Sequence, residues 1–183
     1  ANASIVNDNG KTGLFVYGQS RERDHYDHND DGFSEIGTID AKTLGVNTFY
    51  NITDNSKIRA EYSATNEYRR GGDQLDIPPH QAMIAEQTDH KIHAGNITYD
   101  LWSKDYKNKY NVYAALRDTK RDSYYGSNMD PNAYGSTHDL VVVGGGQFVH
   151  KFFKLWFMPA ELTAGVEYNY NYLNDVTIGY DHD

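Results

Sequence analysis

The stretch KIRAEYSATNEYRRGGDQLDIPPHQAMIAEQ, residues 57–87, joins a two-residue alternation to a long polar segment, and the rest of the chain repeats that unit. Ile58, Ala60, Tyr62 and Ala64 fall on one side, and Lys57, Arg59, Glu61, Ser63 and Thr65 on the other. That is the period of a strand dividing an apolar from a wet environment, and no helical period fits it. Gly71, Gly72, Pro78 and Pro79 then punctuate a loop expected over about residues 69–88. A loop far beyond hairpin length points to function.

Working outward, strands are expected from the start of the chain to Val6, from Lys11 to about Arg23, and from Gly37 to Tyr50, the first pair joined by the turn Asn7–Gly10. Beyond the long loop a fifth strand reaches Trp102, with a bulge expected near Gly95, where the alternation slips between Ala94 and Ile97. A sixth strand carries Tyr110, Val112, Ala114 and Leu116, and a seventh spans Leu140–His150 through Gly144-Gly145-Gly146, read as a kink where other groups approach closely. The eighth places Leu162, Ala164, Val166, Tyr168, Tyr170 and Tyr172 on one face.

Connections are expected at 7–10, 24–36, 52–56, 69–88, 103–108, 122–137 and 152–159, alternately short and long. An up-and-down sheet then collects short turns on one rim and long loops on the other, as in outer-membrane barrels. Tyr50, Trp102, Tyr106, Trp156 and Phe157 all lie by short turns, where an aromatic girdle is expected.

Composition agrees with that reading. Hydrophobic residues are 38% of the chain while sixteen residues are Tyr, so aliphatic material for a compact core is scarce. The net charge of −9 argues against nucleic acid as a partner, because binding phosphates needs clustered Lys and Arg. Cysteine is absent, which removes disulfides and thiolate chemistry. No apolar run reaches the ~20 residues of a membrane helix, but a spanning strand needs only ~9–11. No nucleophile elbow or HExxH pattern is present, so no enzymatic activity is expected. Residues 1–183 read as one segment of a longer protein.

Asp27-x-Asn29-x-Asp31-Gly32 has calcium-loop spacing, with Asp24 and Glu35 available to complete a Ca2+ shell. Oxygen side chains at alternate positions converge on a cation when glycine permits the sharp turn. Arg69, Arg70, Asp73 and Gln74, together with Tyr124, Tyr125 and Met129, are the expected ligand contacts of the long-loop rim. Tyr-rich loops suit bulky amphipathic ligands, offering rigid area with a polar tip.

The segments Arg69–His80, Ile84–Gln87 and Asp27–Glu35 resemble the barrel loops of TonB-dependent outer-membrane receptors of the Bacteroidetes type, similar to vitamin B12 (cobalamin) transporters. That resemblance implies a 22-stranded barrel, of which this piece holds about eight strands, without the plug and the closing C-terminal strands. It further implies import of a cobalamin-like ligand, with an iron–siderophore as second choice. The implied partners are the TonB system acting through the plug, a surface lipoprotein and outer-membrane lipid, with calcium bound in an extracellular loop. A piece cut from such a barrel is expected to close on itself or pair with a copy. The rival expectation is a soluble all-β, calcium-dependent, carbohydrate-binding module.

Overall fold

Alternation of β-branched, aromatic and polar residues gives eight strands in the computed structural model, which describes residues 1–178. They are β1 (Asn2–Val6), β2 (Thr12–Arg23), β3 (Phe33–Thr53), β4 (Ser56–Asp73), β5 (Ile84–Trp102), β6 (Asn108–Ser127), β7 (Tyr134–Leu155) and β8 (Met158–Thr177). A single 3-10 turn, Pro79–Gln81, interrupts the β4–β5 connection. All eight form one antiparallel sheet in sequence order, a simple meander.

Because directly paired residues of an antiparallel sheet point to the same side, the register fixes what each face carries. One row crosses every strand through Ala3, Val16, Val46, Tyr62, Gly95, Leu116, Val142 and Tyr170. The row one residue along runs Ser4, Phe15, Asn47, Glu61, Asn96, Ala115, Val143 and Asn169. The first belongs to an apolar face continuous over the sheet, the second to a mainly polar one.

The apolar face is covered by nothing among the described residues. Leu44 is 63% exposed and Val166 77%, whereas buried hydrophobics are confined to Ile39, Ala82, Ala85 and Tyr124. Burying apolar area stabilises a water-soluble domain by ~25 cal/mol per Å², so a sheet this wide in water would fold its apolar side onto something.

On the polar face the side chains cover one another. Tyr17 lies over Gly45, Phe49 over Gly13 and Tyr113 over Gly145, each ring resting on the glycine directly opposite it. Glycine removes the Cβ the ring would strike, and the ring restores the surface the glycine lacks. Nearer the short turns, Asp100, 2% exposed, accepts hydrogen bonds from Arg59 Nη2 at 2.6 Å and Asn111 Nδ2 at 2.9 Å, with Lys109 Nζ at 3.1 Å.

The sheet differs from the sequence-based reading in five respects. It is open: among the described residues β1 pairs only with β2 and β8 only with β7, so the expected closure of the piece on itself is not seen. No bulge occurs at Gly95, because pairing runs unbroken on both sides of it; the apparent slip arises because small Ala94 and half-buried Ile92 sit on the polar face. The Gly144–Gly146 triplet passes without a register break, and only Gly145 is overlaid by a ring. The long loops are shorter than expected, with connections at 24–32, 74–83 and 128–133, because hydrogen bonding between neighbours carries the strands through polar, Gly-rich sequence. The last connection also shortens, to the tight turn at Trp156-Phe157, with a register irregularity between Phe152 and Leu155.

The rims keep their difference. Turns 54–55 and 156–157 are minimal, whereas 24–32 and 74–83 are the longest connections. Of the expected girdle, Tyr50 lies on the apolar face, and Tyr106, Trp156 and Phe157 are exposed at turn tips. Trp102 instead faces the polar side, where Lys109 Nζ lies 5.3 Å from its ring centroid.

Candidate functional site at the long-loop rim

Where β4, β5 and β6 run out beyond the apolar face, a small core forms. Ala82 and Tyr124 are fully buried and Ala85 nearly so, with Ala133 and Tyr134 against them. Tyr124 donates its hydroxyl to the Asp130 carbonyl at 2.9 Å and packs edge-on against Tyr134, ring centroids 4.9 Å apart. Burial raises the Tyr124 hydroxyl above its ordinary pKa, and Asp130 adds to that. His80 Nδ1 and the Tyr134 hydroxyl share a hydrogen bond of 2.8 Å, tying the β4–β5 connection to β7.

Gly72, at φ +103°, lets β4 lie against Ile84 and Ala85 of β5, where any Cβ would meet the Ile84 carbonyl. Beside it Arg70, 3% exposed, donates to the Gly71 carbonyl at 2.5 Å, and Asp73 accepts from the Ile84 N–H at 3.0 Å. Gln74 turns the chain at φ +47°.

The expected ligand contacts therefore divide. Arg70, Asp73 and Tyr124 are spent on holding the loops, and Met129 is exposed in the β6–β7 turn at φ 59°. Arg69 and Tyr125 come together on the polar face in a recess of about 390 Å³, with Glu67, Glu86, Thr88 and His90. Arg69 Nε donates to Glu67 Oε1 at 2.8 Å. Thr88 is 7% exposed, and its Oγ1 has no hydrogen-bond partner among the described residues. Nor do His90 Nδ1, Thr119 Oγ1 and Arg121 Nε, all on the same patch of β5 and β6. Burial lowers the His90 pKa, Glu67 opposing and Arg121 and Arg69 reinforcing, which favours a neutral ring at pH 7. Buried polar atoms are normally paired, so these four are exceptions within the sheet.

Sequence reasoning missed Glu67, Glu86, Thr88 and His90. Alternation back from Arg69 reaches Glu67, but the register that sets Thr88 and His90 opposite β4 and β6 has no local signature.

In the Asp27–Glu35 loop the carboxylates already hold backbone. Asp27 accepts from the N–H groups of Gly32 at 2.8 Å and Asn29 at 3.2 Å, Asp31 from Phe33 at 2.9 Å, and Glu35 from His28 at 2.7 Å. Asn29 Nδ2 donates to Asp31 at 3.0 Å, and exposed Asp24 stands outside this network. A slight burial penalty acts upward on Asp27, but backbone donors from Gly32, Asn29, Asp30 and Asp31 bring its pKa below the ordinary value. Among the described residues no group of three or more acidic or histidine side chains is gathered as a metal shell.

Fold and rim together define an open, two-faced antiparallel wall with a polar recess under its longer loops. No protein-family model, curated protein or solved structure matches the chain.

Proposed function

We propose that this chain is wall and extracellular loops of a TonB-dependent outer-membrane importer, one sector of a 22-stranded barrel whose plug engages the TonB system. The observation that carries the reading is the separation of two faces across all eight strands, with the apolar face left bare and both outer edges unpaired. A sector of a larger barrel has those properties, because neighbouring strands pair with its edges and lipid covers its outside. The polar face is then the lumen wall.

The cargo proposed first is cobalamin-like, with an iron–siderophore second. Support for a large polar ligand comes from the recess of about 390 Å³ with Glu67, Arg69 and Glu86, and from the exposed ring of Tyr125 beside it. A surface lipoprotein capping the long-loop rim and Ca2+ in the Asp27–Glu35 loop complete the proposal. Calcium binding requires Asp31 to exchange the Asn29 amide for the ion.

Cell fractionation with surface labelling tests it. The parent protein is expected in the outer membrane, with a cysteine introduced at Asn29 labelled from outside. Partition to the periplasm overturns the importer and favours a soluble, carbohydrate-binding module instead. Titration with calcium adds a separate check: no heat at millimolar concentration, or heat unchanged in Asp31→Ala, removes the metal.

A further inference from the structure

At the short-turn rim the polar face ends in a cavity of about 480 Å³ between three turns. Lys11 of the β1–β2 turn flanks it on one side and Trp102 and Tyr106 of the β5–β6 end on the other, with Asn51, Asp54 and Lys57 between them. The turns are fastened to one another, so the cavity is preformed. The Asn51 N–H donates to the Lys11 carbonyl at 2.7 Å, and Asn51 Nδ2 donates to the Gly10 carbonyl at 3.1 Å. On the other flank the Trp102 N–H donates to the Asn55 carbonyl at 2.8 Å, Asn55 Nδ2 to the Ser103 carbonyl at 3.2 Å, and the Tyr106 hydroxyl to the Asp54 carbonyl at 3.4 Å. A preformed concavity of this size, with a few convergent polar groups, is the usual shape of a small-molecule site.

Its charge runs against that of the whole chain. Lys57 stands opposite Asn51 on one side and Asp100 on the other, but Asp100 is taken by Arg59 and Lys109. Neither Lys11 nor Lys57 forms an ion pair among the described residues, although Lys57 Nζ lies 4.4 Å from the Phe49 ring centroid. Four cations, Lys11, Lys57, Arg59 and Lys109, therefore meet two carboxylates, Asp54 and Asp100, in a chain of net charge −9. Further out Asp105 is paired with Lys107, and Asp8 and Lys104 lie outside the cavity lining. Both the rings and the charges restrict what fits. A simple anion has no use for Trp102 and Tyr106, and a flat apolar molecule would desolvate Lys11, Lys57 and Asp54 without replacing their hydrogen bonds. A sugar ring offers C–H faces to aromatic side chains and hydroxyls that both donate and accept, and a carboxylate on that ring suits the two ammonium groups.

We infer that this cavity binds an acidic sugar, its carboxylate held by Lys11 and Lys57 and its ring set against the Trp102 and Tyr106 side. The site lies at the opposite end of the sheet from the long-loop recess, and it stands whether or not lipid covers the apolar face.

Fluorescence titration of the full chain carrying Trp156→Phe tests the site, because Trp102 is then the only tryptophan. Polyoxyethylene detergent micelles keep sugar headgroups out of the sample. Digalacturonate is expected to change the Trp102 emission and to bind roughly tenfold more tightly than neutral digalactose, the low end of what one hydrogen bond to a charged group supplies. Adding Lys11→Gln with Lys57→Gln should abolish that preference with β-sheet circular dichroism unchanged, whereas Lys91→Gln with Lys120→Gln, at the other end of the sheet, should keep it. No emission change with either disaccharide, equal affinity for the two, or a preference surviving in the first double variant overturns the site. Acetate matching digalacturonate would reduce it to an anion site, and triglutamate binding more tightly would make the ligand an acidic peptide; either result overturns the sugar. All of these outcomes leave the importer reading untouched, since that reading stands or falls on where the parent protein is found.

Discussion

The two faces of this sheet come from the same strands one residue out of phase, and they treat their side chains in opposite ways. On the polar face Tyr113 folds down over Gly145, while Arg59, Lys109 and Asn111 converge on Asp100. On the apolar face Leu44, Val112 and Val166 project outward with more than half their surface free. A soluble protein packs its apolar side and leaves its polar side to water. Near the short turns the polar side supplies its own partners, whereas the apolar side is left bare among the described residues. That contrast supports the proposed wall between lipid and lumen, in which hydrocarbon would supply the packing outside.

The largest effect should come from moving a charge across one peptide bond. Ala114 lies on the apolar face opposite Ile97 and Gly144, and Ala115 on the polar face opposite Asn96 and Val143. In phosphocholine vesicles Ala114→Arg should lower unfolding stability by about 2–4 kcal/mol, and Ala115→Arg by well under half of that. Urea titration followed by tryptophan fluorescence gives both values. Equal costs would mean the faces do not meet different environments.

Next comes Asp100. Removing it leaves Arg59, Lys109 and Asn111 without their shared acceptor, and Arg59 and Lys109 are partly exposed, so water recovers some of the loss. Asp100→Ala should cost about 2 kcal/mol in the same titration, in the range for hydrogen bonds to a charged group. A neutral result would break the claim that the polar face supplies its own partners near the short turns.

The adjacent glycines Gly144 and Gly145 sharpen the contrast at smaller scale. A Cβ on Gly145 meets the Tyr113 hydroxyl at 2.6 Å and the Val166 carbonyl at 2.8 Å, whereas one on Gly144 finds nothing nearer than the Tyr113 carbonyl at 3.8 Å. Gly145→Ala is therefore expected to destabilise by about 1–2 kcal/mol, as overpacking does. Gly144→Ala should be neutral, or stabilising by about 0.5 kcal/mol through lost unfolded-state entropy. Reversal of that order would remove ring-over-glycine packing as a feature of this face.

How much of this is legible in the sequence follows from the range of each interaction. Alternation in residues 57–65 is local, so strand identity and face assignment could be read directly. Strand ends could not be, since Gly71, Gly72 and Ser123 look like loop residues yet are held in strands by partners a dozen or more residues away. The same holds for the rim. Arg70 and Tyr124 look like ligand contacts because they are charged or aromatic in a loop-like segment, and only the packing of Ala82, Ala85 and Tyr134 turns them into scaffolding. The Thr88–His90 patch was hidden because it depends on register.

The smallest effect concerns the short-turn rim and tests whether its turns are fixed as tightly as the polar face. In the β5–β6 turn, Asp105 Oδ1 accepts the Ser103 hydroxyl at 2.5 Å and the Lys107 N–H at 3.2 Å, while Ser103 Oγ accepts the Asn108 N–H at 3.0 Å. The Ser103 hydroxyl, then the Lys107 N–H, bring the Asp105 pKa below its ordinary value, outweighing a slight desolvation in the other direction, and the Lys107 ammonium adds to the lowering. A carboxylate whose folded pKa lies below its unfolded value, about 3.9, contributes its full stabilisation above that unfolded value and loses it as pH falls through the folded one. The turn should thus be unchanged from neutral pH down to about 4 and loosen below it. The Lys107 amide resonance, followed by NMR against pH, should show an inflection on the acid side of an ordinary aspartate, and Asp105→Asn should abolish it. An inflection at or above the ordinary value would mean that this carboxylate is merely solvated, and that self-satisfied polar groups stop at the strands and do not extend to the rim.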